Sequence, residues 1–422
     1  MPPPQRCFLF LQGPLSPLYA RIAGELEQHG HTVLRINLCI GDALHWPRPG
    51  ASGFRGRVAE WPAFIDRYLV ERGVTDLILH GDRRIYHRIA AEKARTHGIQ
   101  VIATELGYLR PDWMTIELDA TSAGSHFPRD PEEIRCLAEQ APRPDFAPRF
   151  ANSFARVAVP DVIYNLANSL LWFAYPHYQR HTIYFPPLEY AAWLLRLLSR
   201  RTRDRRANRG TEALIGTHTP FFIVPLQLEG DFQIRDRSPF KGIGEALELI
   251  MKSFAEHAPG DTHLVLKTHP LDNGLERWPR LVARLSAKYR LDARVTLFDG
   301  GRLDRLIAHA EGLVTINSSA GLEALLAGCP VKVLAPAIYD IEGMTDQAAL
   351  DRYWSAPAKP DMTLVEAFVC ALAITVQVRG TLYADDGLDM AVTQMARRIL
   401  ANAINTPFDP SSDSLPTREG QA

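Results

Sequence analysis

Short apolar runs alternate with amphipathic stretches along this chain, and the alternation predicts a parallel α/β architecture. In the first half, residues 7–11 form an apolar run that Gln12, Gly13 and Pro14 break. Residues 18–30 carry helical spacing and stop at Gly30. Strand patterns follow at 32–36, 76–79 and 100–103, with a helical stretch at 85–98. The second half repeats the rhythm, with strands at 221–224, 262–266, 295–298, 313–316 and 331–334 and helices between them. Successive βαβ units of this kind build parallel sheets covered by helices. No repeat is visible in the residues themselves, yet two Rossmann-like halves are the economical architecture.

Composition agrees. The chain has 422 residues, 46% of them hydrophobic and 23% charged, enough for two cores of about 200 residues each. The expected division is an N-terminal domain over 1–215, with an insertion at about 145–212, and a C-terminal domain over 216–378. A terminal helix at 379–405 and a disordered Pro-, Ser- and Asp-rich tail at 406–422 complete it. The net charge of −1 offers no global argument for nucleic acid. Five scattered cysteines with no CxxC pair point to a reduced, cytoplasmic setting and support no metal site. The apolar run near the start is too short for a signal peptide, and no stretch approaches the ~20 apolar residues of a membrane span.

Two segments carry most of the candidate chemistry. Lys267, Thr268, His269 and Pro270 end one predicted strand; Asn317, Ser318, Ser319, Ala320, Gly321, Leu322 and Glu323 end another. Strand carboxyl ends open onto the ligand crevice of an α/β sheet. The second segment reads as a small-residue turn opening a helix, whose N-terminus favours phosphate. Glu323 could accept hydrogen bonds from ribose hydroxyls there, and the simpler alternative is a serine-capped βα turn. Histidine beside a phosphate can donate a hydrogen bond or a proton. Together the segments point to a nucleotide-sugar site, hence a glycosyltransferase.

The insertion is aromatic, then basic. It carries Tyr164, Trp172, Phe173, Tyr175, Tyr178, Tyr184, Phe185, Tyr190 and Trp193. It closes on Arg196, Arg200, Arg201, Arg203, Arg205, Arg206 and Arg209, seven arginines against one aspartate in fourteen residues. Such a pattern suits a helix lying on an anionic bilayer. A solvated basic helix end and an RNA-binding patch are the alternatives.

Polar clusters also end the predicted strands of the first half. They are Asn37 with Gly41, Asp42 and Trp46; His80 with Gly81, Asp82 and Arg83; and Glu105, Tyr108, Arg110 and Trp113, extending to Thr115 and Glu117. Gln227, Glu229 and Asp231 follow the strand at 221–224.

With these pieces in order, the chain resembles the bacterial capsule polysaccharide biosynthesis proteins of the KpsS/LipB type. The matching pieces are Leu11 to Pro14; Arg35, Ile36 and Asn37 with Gly41 and Asp42; Glu105 to Trp113; and Val224 to Gln227 with Asp231. Lys267, His269, Pro270, Asn317, Ser318, Ser319, Gly321, Leu322 and Glu323 complete the set. The resemblance implies a GT-B-like fold of two facing Rossmann-type domains. It implies a retaining transferase that moves β-Kdo from CMP-β-Kdo to phosphatidylglycerol or its lyso form, starting the poly-Kdo linker of a capsule. Retention by two inversions needs a carboxylate nucleophile at the anomeric carbon. By similarity to related retaining enzymes, that is Asp231, with Glu229 as the alternative and Glu105 as the acid/base. Lys267, His269, Pro270, Gln227, Asn317, Ser318, Ser319, Gly321 and Glu323 would hold the donor. Asn37, Asp42, Asp82, Tyr108 and Arg110 would line the acceptor cleft, and Trp193 with the arginines would face the membrane. No cofactor or metal is implied, because CMP is already a good leaving group. The implied setting is the inner face of the inner membrane, in a capsule assembly complex that could include a second Kdo transferase. A non-catalytic export or assembly scaffold and another CMP- or UDP-sugar GT-B transferase are the rival readings.

Overall fold

Along the first strand, Cys7, Leu9 and Leu11 enter one apolar cluster and Phe8 and Phe10 another. This period-two alternation with both faces buried is the signature of a sheet sandwiched by helices. The computed structural model describes residues 5–408 except 140, 152 and 181. In chain order, the first sheet takes β1 (Cys7–Phe10), β2 (Thr32–Asn37), β3 (Ser52–Gly53), β4 (Asp76–His80), β5 (Gln100–Leu106) and β6 (Trp113–Leu118). The second takes β7 (Phe221–Pro225), β8 (His263–Lys267), β9 (Val295–Phe298), β10 (Gly312–Thr315) and β11 (Val331–Val333), and β12 (Gln377–Arg379) returns to the first. Helices along the chain include α1 (Leu18–Gln28), α2 (Ile40–Leu44), α3 (Trp61–Glu71), α4 (Ile85–Thr96), α5 (Phe154–Leu170) and α6 (Pro186–Gly216). They continue with α7 (Ile243–His257), α8 (Trp278–Tyr289), α9 (Ala320–Leu326) and α10 (Asp385–Leu400).

Both sheets use one topology. The first runs β12-β6-β5-β4-β1-β2-β3 and the second β11-β10-β7-β8-β9. The five parallel strands of each follow the 3-2-1-4-5 order of a Rossmann half. The α/β class and the two Rossmann-type sheets expected from the period are therefore present. The first sheet is extended by β6, antiparallel to β5, and by β12, antiparallel to β6. The polar cluster from Glu105 to Glu117 thus folds back as a hairpin, with Glu105 opposite Thr115, rather than ending at one strand tip.

The chain packs as two units. One comprises the described residues of 1–127, 137–181 and 369–422, and the other 128–136 and 182–368. The stretch 145–212 is therefore shared, α5 going to the first unit and α6 to the second. In the first unit, α1 and α10 cover one sheet face through Leu18, Ile22, Leu388 and Met395. α3 and α4 cover the other through Trp61, Ile65, Ala90 and Ala94. The second unit centres on Phe222, Val224, Leu264 and Leu266 with Ile250 and Phe254 of α7. The expected tail divides: Phe408 N–H still donates to the carbonyl of Ile374 at 3.0 Å, whereas 409–422 lie outside the described residues.

One close approach positions α5. The backbone N–H of Gly41 donates to Asn168 Oδ1 at 2.9 Å, and a methyl group at Gly41 would collide with the Tyr164 ring and with Asn168 Nδ2. Overpacking of this kind costs about 1–3 kcal/mol. Gly41→Ala is expected to lower the urea midpoint correspondingly; an unchanged midpoint would mean that α5 shifts without loss.

Candidate active site

In each sheet, strand order reverses beside the first strand, and there the crossover helices diverge and leave a crevice. In the second unit this point lies between β7 and β10. Gln227, just past β7, is buried and donates through Nε2 to Asn317 Oδ1 at 3.1 Å. The Asn317 N–H returns a bond to Gln227 Oε1 at 3.4 Å. On the other side of β7, Pro225 is in register with Lys267, and the Leu226 N–H donates to the Lys267 carbonyl at 2.8 Å. Asn317, Gln227 and Lys267 therefore stand side by side on three adjacent strand ends.

Lys267 is the electrostatic centre of this edge. Only 4% of the residue is exposed, and burial lowers its pKa while Asp299 and Asp204 pull it back up. Both carboxylates are already engaged. Asp299 accepts from Arg196 Nη2 at 2.6 Å, Arg203 Nη1 at 2.8 Å and Thr268 Oγ1 at 2.9 Å. Burial opposes its ionisation, but these partners hold Asp299 below the usual carboxylate range. Asp204 accepts from the Gly301 N–H at 3.1 Å. His269 Nδ1 accepts from the Leu271 N–H at 3.0 Å, which places the proton of a neutral ring on Nε2.

The small residues after β10 serve packing more than the spacing indicated. Gly321 is buried, and a methyl group there would strike the Tyr339 hydroxyl, which itself donates to the Ser318 carbonyl. Ser318 Oγ accepts from the Ala320 N–H at 3.2 Å, so it opens α9 from within the turn. Ser319, Glu323 and Pro270 are exposed. Glu229 accepts from the Ile243 N–H at 3.1 Å at the start of α7, and burial raises its pKa. Asp231 sits immediately before the helical turn Phe232–Arg235, and its carbonyl accepts from the Ile234 and Arg235 N–H groups.

The first unit gathers its polar residues into two networks. Gln12, just past β1, donates to Asp42 Oδ1 at 2.8 Å, Tyr164 Oη at 2.6 Å and Tyr178 Oη at 3.2 Å, and accepts from Arg84 at 3.0 Å. Asp42 Oδ2 accepts from the Leu38 N–H at 2.7 Å, and Asn37 Oδ1 accepts from Arg35 Nε at 2.8 Å. Asn37, Asp42 and Asp82 are all buried; Asp42 ties α2 to Gln12 past β1 and Asn37 braces Arg35 within β2, so neither stands open in a cleft. A small pocket beside them is lined by Ser16, Tyr19, Arg35, Asp42, His45 and Tyr164 among others. The second network lies on the hairpin. Tyr108 Oη donates to Glu117 Oε1 at 2.6 Å, Ser125 donates to Glu117 Oε2, and Thr121 donates to Glu105 Oε2 at 2.6 Å. Arg110 is exposed. Glu105 belongs to the first unit and Asp231 to the second.

The arginines of α6 have two fates. Arg196 and Arg203 turn inward to Asp299, on a helix face that also buries Ala207 and Thr211. Arg200, Arg201, Arg205 and Arg206 are exposed, and Trp193 is half-buried. No helix among the described residues is long and apolar enough to cross a membrane.

The family described as capsule polysaccharide biosynthesis protein matches residues 75–383, which include Lys267, His269, Asn317 and the hairpin network. The chain belongs to this family. Over 391 residues it is 33% identical to the capsule polysaccharide modification protein LipB of Neisseria meningitidis serogroup A, covering 89% of this chain and 91% of that one. It is 30% identical to the capsule polysaccharide export protein KpsS of Escherichia coli, covering 89% and 96%. Among solved structures, the β-Kdo 2,7 transferase KpsC of Thermosulfurimonas dismutans superposes with a TM-score of 0.44 at 17% identity, covering 92% and 98%.

Within this capsule-family chain, the sequence pattern does not mark Tyr164 and Asn168 as supports of the site. Tyr164 stands among the other aromatic positions of the insertion and Asn168 has no motif around it, yet both are buried against the first unit. The available signal is the spacing alone: Tyr164 and Asn168 are four apart and so share one helical face. Glu117 likewise reads only as the tail of a cluster. It is fully buried, and burial together with Glu105 and Asp82 pushes its pKa up to about 8, although Ser125 and Tyr108 pull it down. In the unfolded chain a glutamate ionises near 4.5. This group therefore favours the folded state fully below about pH 4.5, and that contribution is lost as pH rises through 8. The native urea midpoint should fall over this window, and Glu117→Gln should flatten the fall. Parallel pH profiles for the two proteins would count against a buried, protonated Glu117.

Proposed function

We propose that this chain is a retaining glycosyltransferase that moves β-Kdo from CMP-β-Kdo to phosphatidylglycerol or its lyso form. The observation that carries the reading is Lys267. A nearly buried ammonium lies at the end of β8, one strand from the reversal point between β7 and β10, and the carboxylates that counter it are occupied by arginines, a threonine and a backbone N–H. Such a cation gains most from a further anion, and a sugar-nucleotide phosphate supplies one at the position where α/β sheets bind nucleotides.

In this reading Lys267 and the Nε2–H of His269 stabilise the phosphate of CMP as its bond to the anomeric carbon breaks. The Asp231 carboxylate attacks that carbon and forms a glycosyl ester with inversion. The acceptor hydroxyl then displaces Asp231 with a second inversion and gives up its proton to Glu105, so the product keeps the donor's configuration. Glu229, whose carboxylate accepts from the first N–H of α7, is the alternative nucleophile. The relative from Escherichia coli is named an export protein, which keeps a non-catalytic assembly role as the second reading.

Incubation with CMP-Kdo and a phosphatidylglycerol analogue, read by CMP release and product mass, tests the proposal. Lys267→Met should raise the donor KM and lower kcat, since a lost charge-assisted hydrogen bond costs about 1.5–3 kcal/mol, or roughly tenfold to a hundredfold. Asp231→Ala should abolish transfer but leave the thermal shift induced by CMP intact. No CMP release from the native protein would favour the assembly role; substantial turnover without Asp231 would move the nucleophile elsewhere.

Reaching a phospholipid requires a surface that faces it, and the exposed arginines of α6 are the proposed electrostatic contact. Each basic residue near an anionic surface contributes about 1 kcal/mol. Exchanging Arg200, Arg201, Arg205 and Arg206 for Gln should weaken binding to anionic vesicles at low salt. Vesicle binding that ignores both this exchange and 1 M salt, where the Debye length is about 3 Å, would reduce α6 to a solvated helix.

A further inference from the structure

α5 is amphipathic in the inverse sense. At 100° per residue, Val162, Ile163, Leu166 and Leu170 fall within about 100° of arc, and all four are exposed. Its buried residues are polar: Tyr164 bonds Gln12, and Asn168 accepts from Gly41. The helix thus spends its hydrogen-bonding side chains on the interior and presents aliphatic ones to the outside. The outward face continues past its C-terminus into Trp172 and Phe173, which are 62% and 65% exposed. An apolar face of this kind on the surface of a folded unit marks an interaction site.

Charge narrows the partner. Residues 162–180 contain no Asp or Glu, but they carry His177 and Arg180. The Arg55 guanidinium sits over the Tyr175 ring, 5.7 Å from its centre, and the loop at 50–59 around it holds Arg55 and Arg57 and no acid. The rim of the apolar tip therefore carries Arg55, Arg57 and Arg180 against one carboxylate, Glu60, which accepts from the Arg57 N–H at 2.6 Å. A second copy of the chain on the same face would oppose like charges, whereas an anionic lipid surface complements both the apolar tip and its rim.

We propose that the outward face of α5, with Trp172 and Phe173, beds into the headgroup–acyl boundary of an anionic bilayer. This deepens the membrane-surface part of the proposed function and rests on it, but it concerns a different segment and a different force. α6 supplies attraction that salt screens; α5 supplies apolar burial that salt does not remove.

The test uses the full chain. Cys136 is the one exposed cysteine among the described residues, the other four being buried. A Cys136→Ser, Phe173→Cys protein can therefore carry a single NBD label at the tip. On vesicles of phosphatidylglycerol and phosphatidylcholine, its emission should shift to the blue and be quenched by doxyl groups on the acyl chains. Both effects should persist in 1 M salt. Replacing Leu166, Leu170 and Trp172 by Ser should lower vesicle partitioning at least tenfold with the thermal midpoint unchanged, because these side chains point outward. If the protein binds vesicles while the label keeps its aqueous emission, the α5 proposal falls and the α6 reading survives. If the label is buried without vesicles and the mass doubles, a second copy covers the face and the proposal falls. If no vesicle binding occurs at all, both readings fall.

Discussion

In both units the strand order reverses beside the first strand, β1 against β4 and β7 against β10. This constraint places a polar group, Gln12 or Gln227, just past the first strand of each sheet. Connections that leave in opposite directions cannot both cover the strand ends between them, so polar groups can stand there without being sealed by a helix. Gln12 in one unit and Gln227 in the other occupy the equivalent place, just past the first strand. Both are buried, yet they bond differently. Gln12 is closed over by Tyr164 and Tyr178 of the same unit, whereas Gln227 is bonded to Asn317 at the neighbouring strand end.

The edge of the second unit depends in turn on Asp299. Its carboxylate gathers Arg196, Arg203 and Thr268, and so ties α6 to the turn that carries Lys267 and His269. Three donors on one carboxylate offset the cost of its partial burial. They share the carboxylate whose charge also offsets the burial of Lys267. The basic helix thereby has two jobs separated by face: an inward pair that braces the turn, and exposed arginines on the outward side. Gly300 and Gly301, both at positive φ, let the loop after β9 approach α6 closely enough for the Gly301 N–H to reach Asp204.

The first unit shows the other use of buried polarity. Its Gln12, Asp42, Tyr164 and Asn168 bonds are mutually satisfied, and such networks specify one packing arrangement. The hairpin network is different in kind. Glu117 is fully buried near Glu105 and Asp82, and it is held protonated by desolvation and by those like charges.

The hydrophobic period alone determined the parallel strands β1, β2, β4, β5 and β7 to β11, since a buried parallel strand must be apolar on both faces and a covering helix on one. The residues at 267–270 and 317–323 were legible for the same reason: polar groups directly after an apolar run must lie at a strand end. β6 and β12 were not legible, because an edge hairpin strand such as β6, with Thr115 and Glu117 buried in it, breaks the apolar pattern. Sequence could not decide which arginines of α6 turn inward, because α-helical spacing does not reveal that Asp299, about a hundred residues away, lies opposite Arg196 and Arg203. It likewise could not separate Tyr164, buried on Gln12, from Trp172, exposed eight residues later. Local sequence carries periodicity and residue chemistry; burial, pairing and pKa depend on which distant groups the fold brings within a few ångströms.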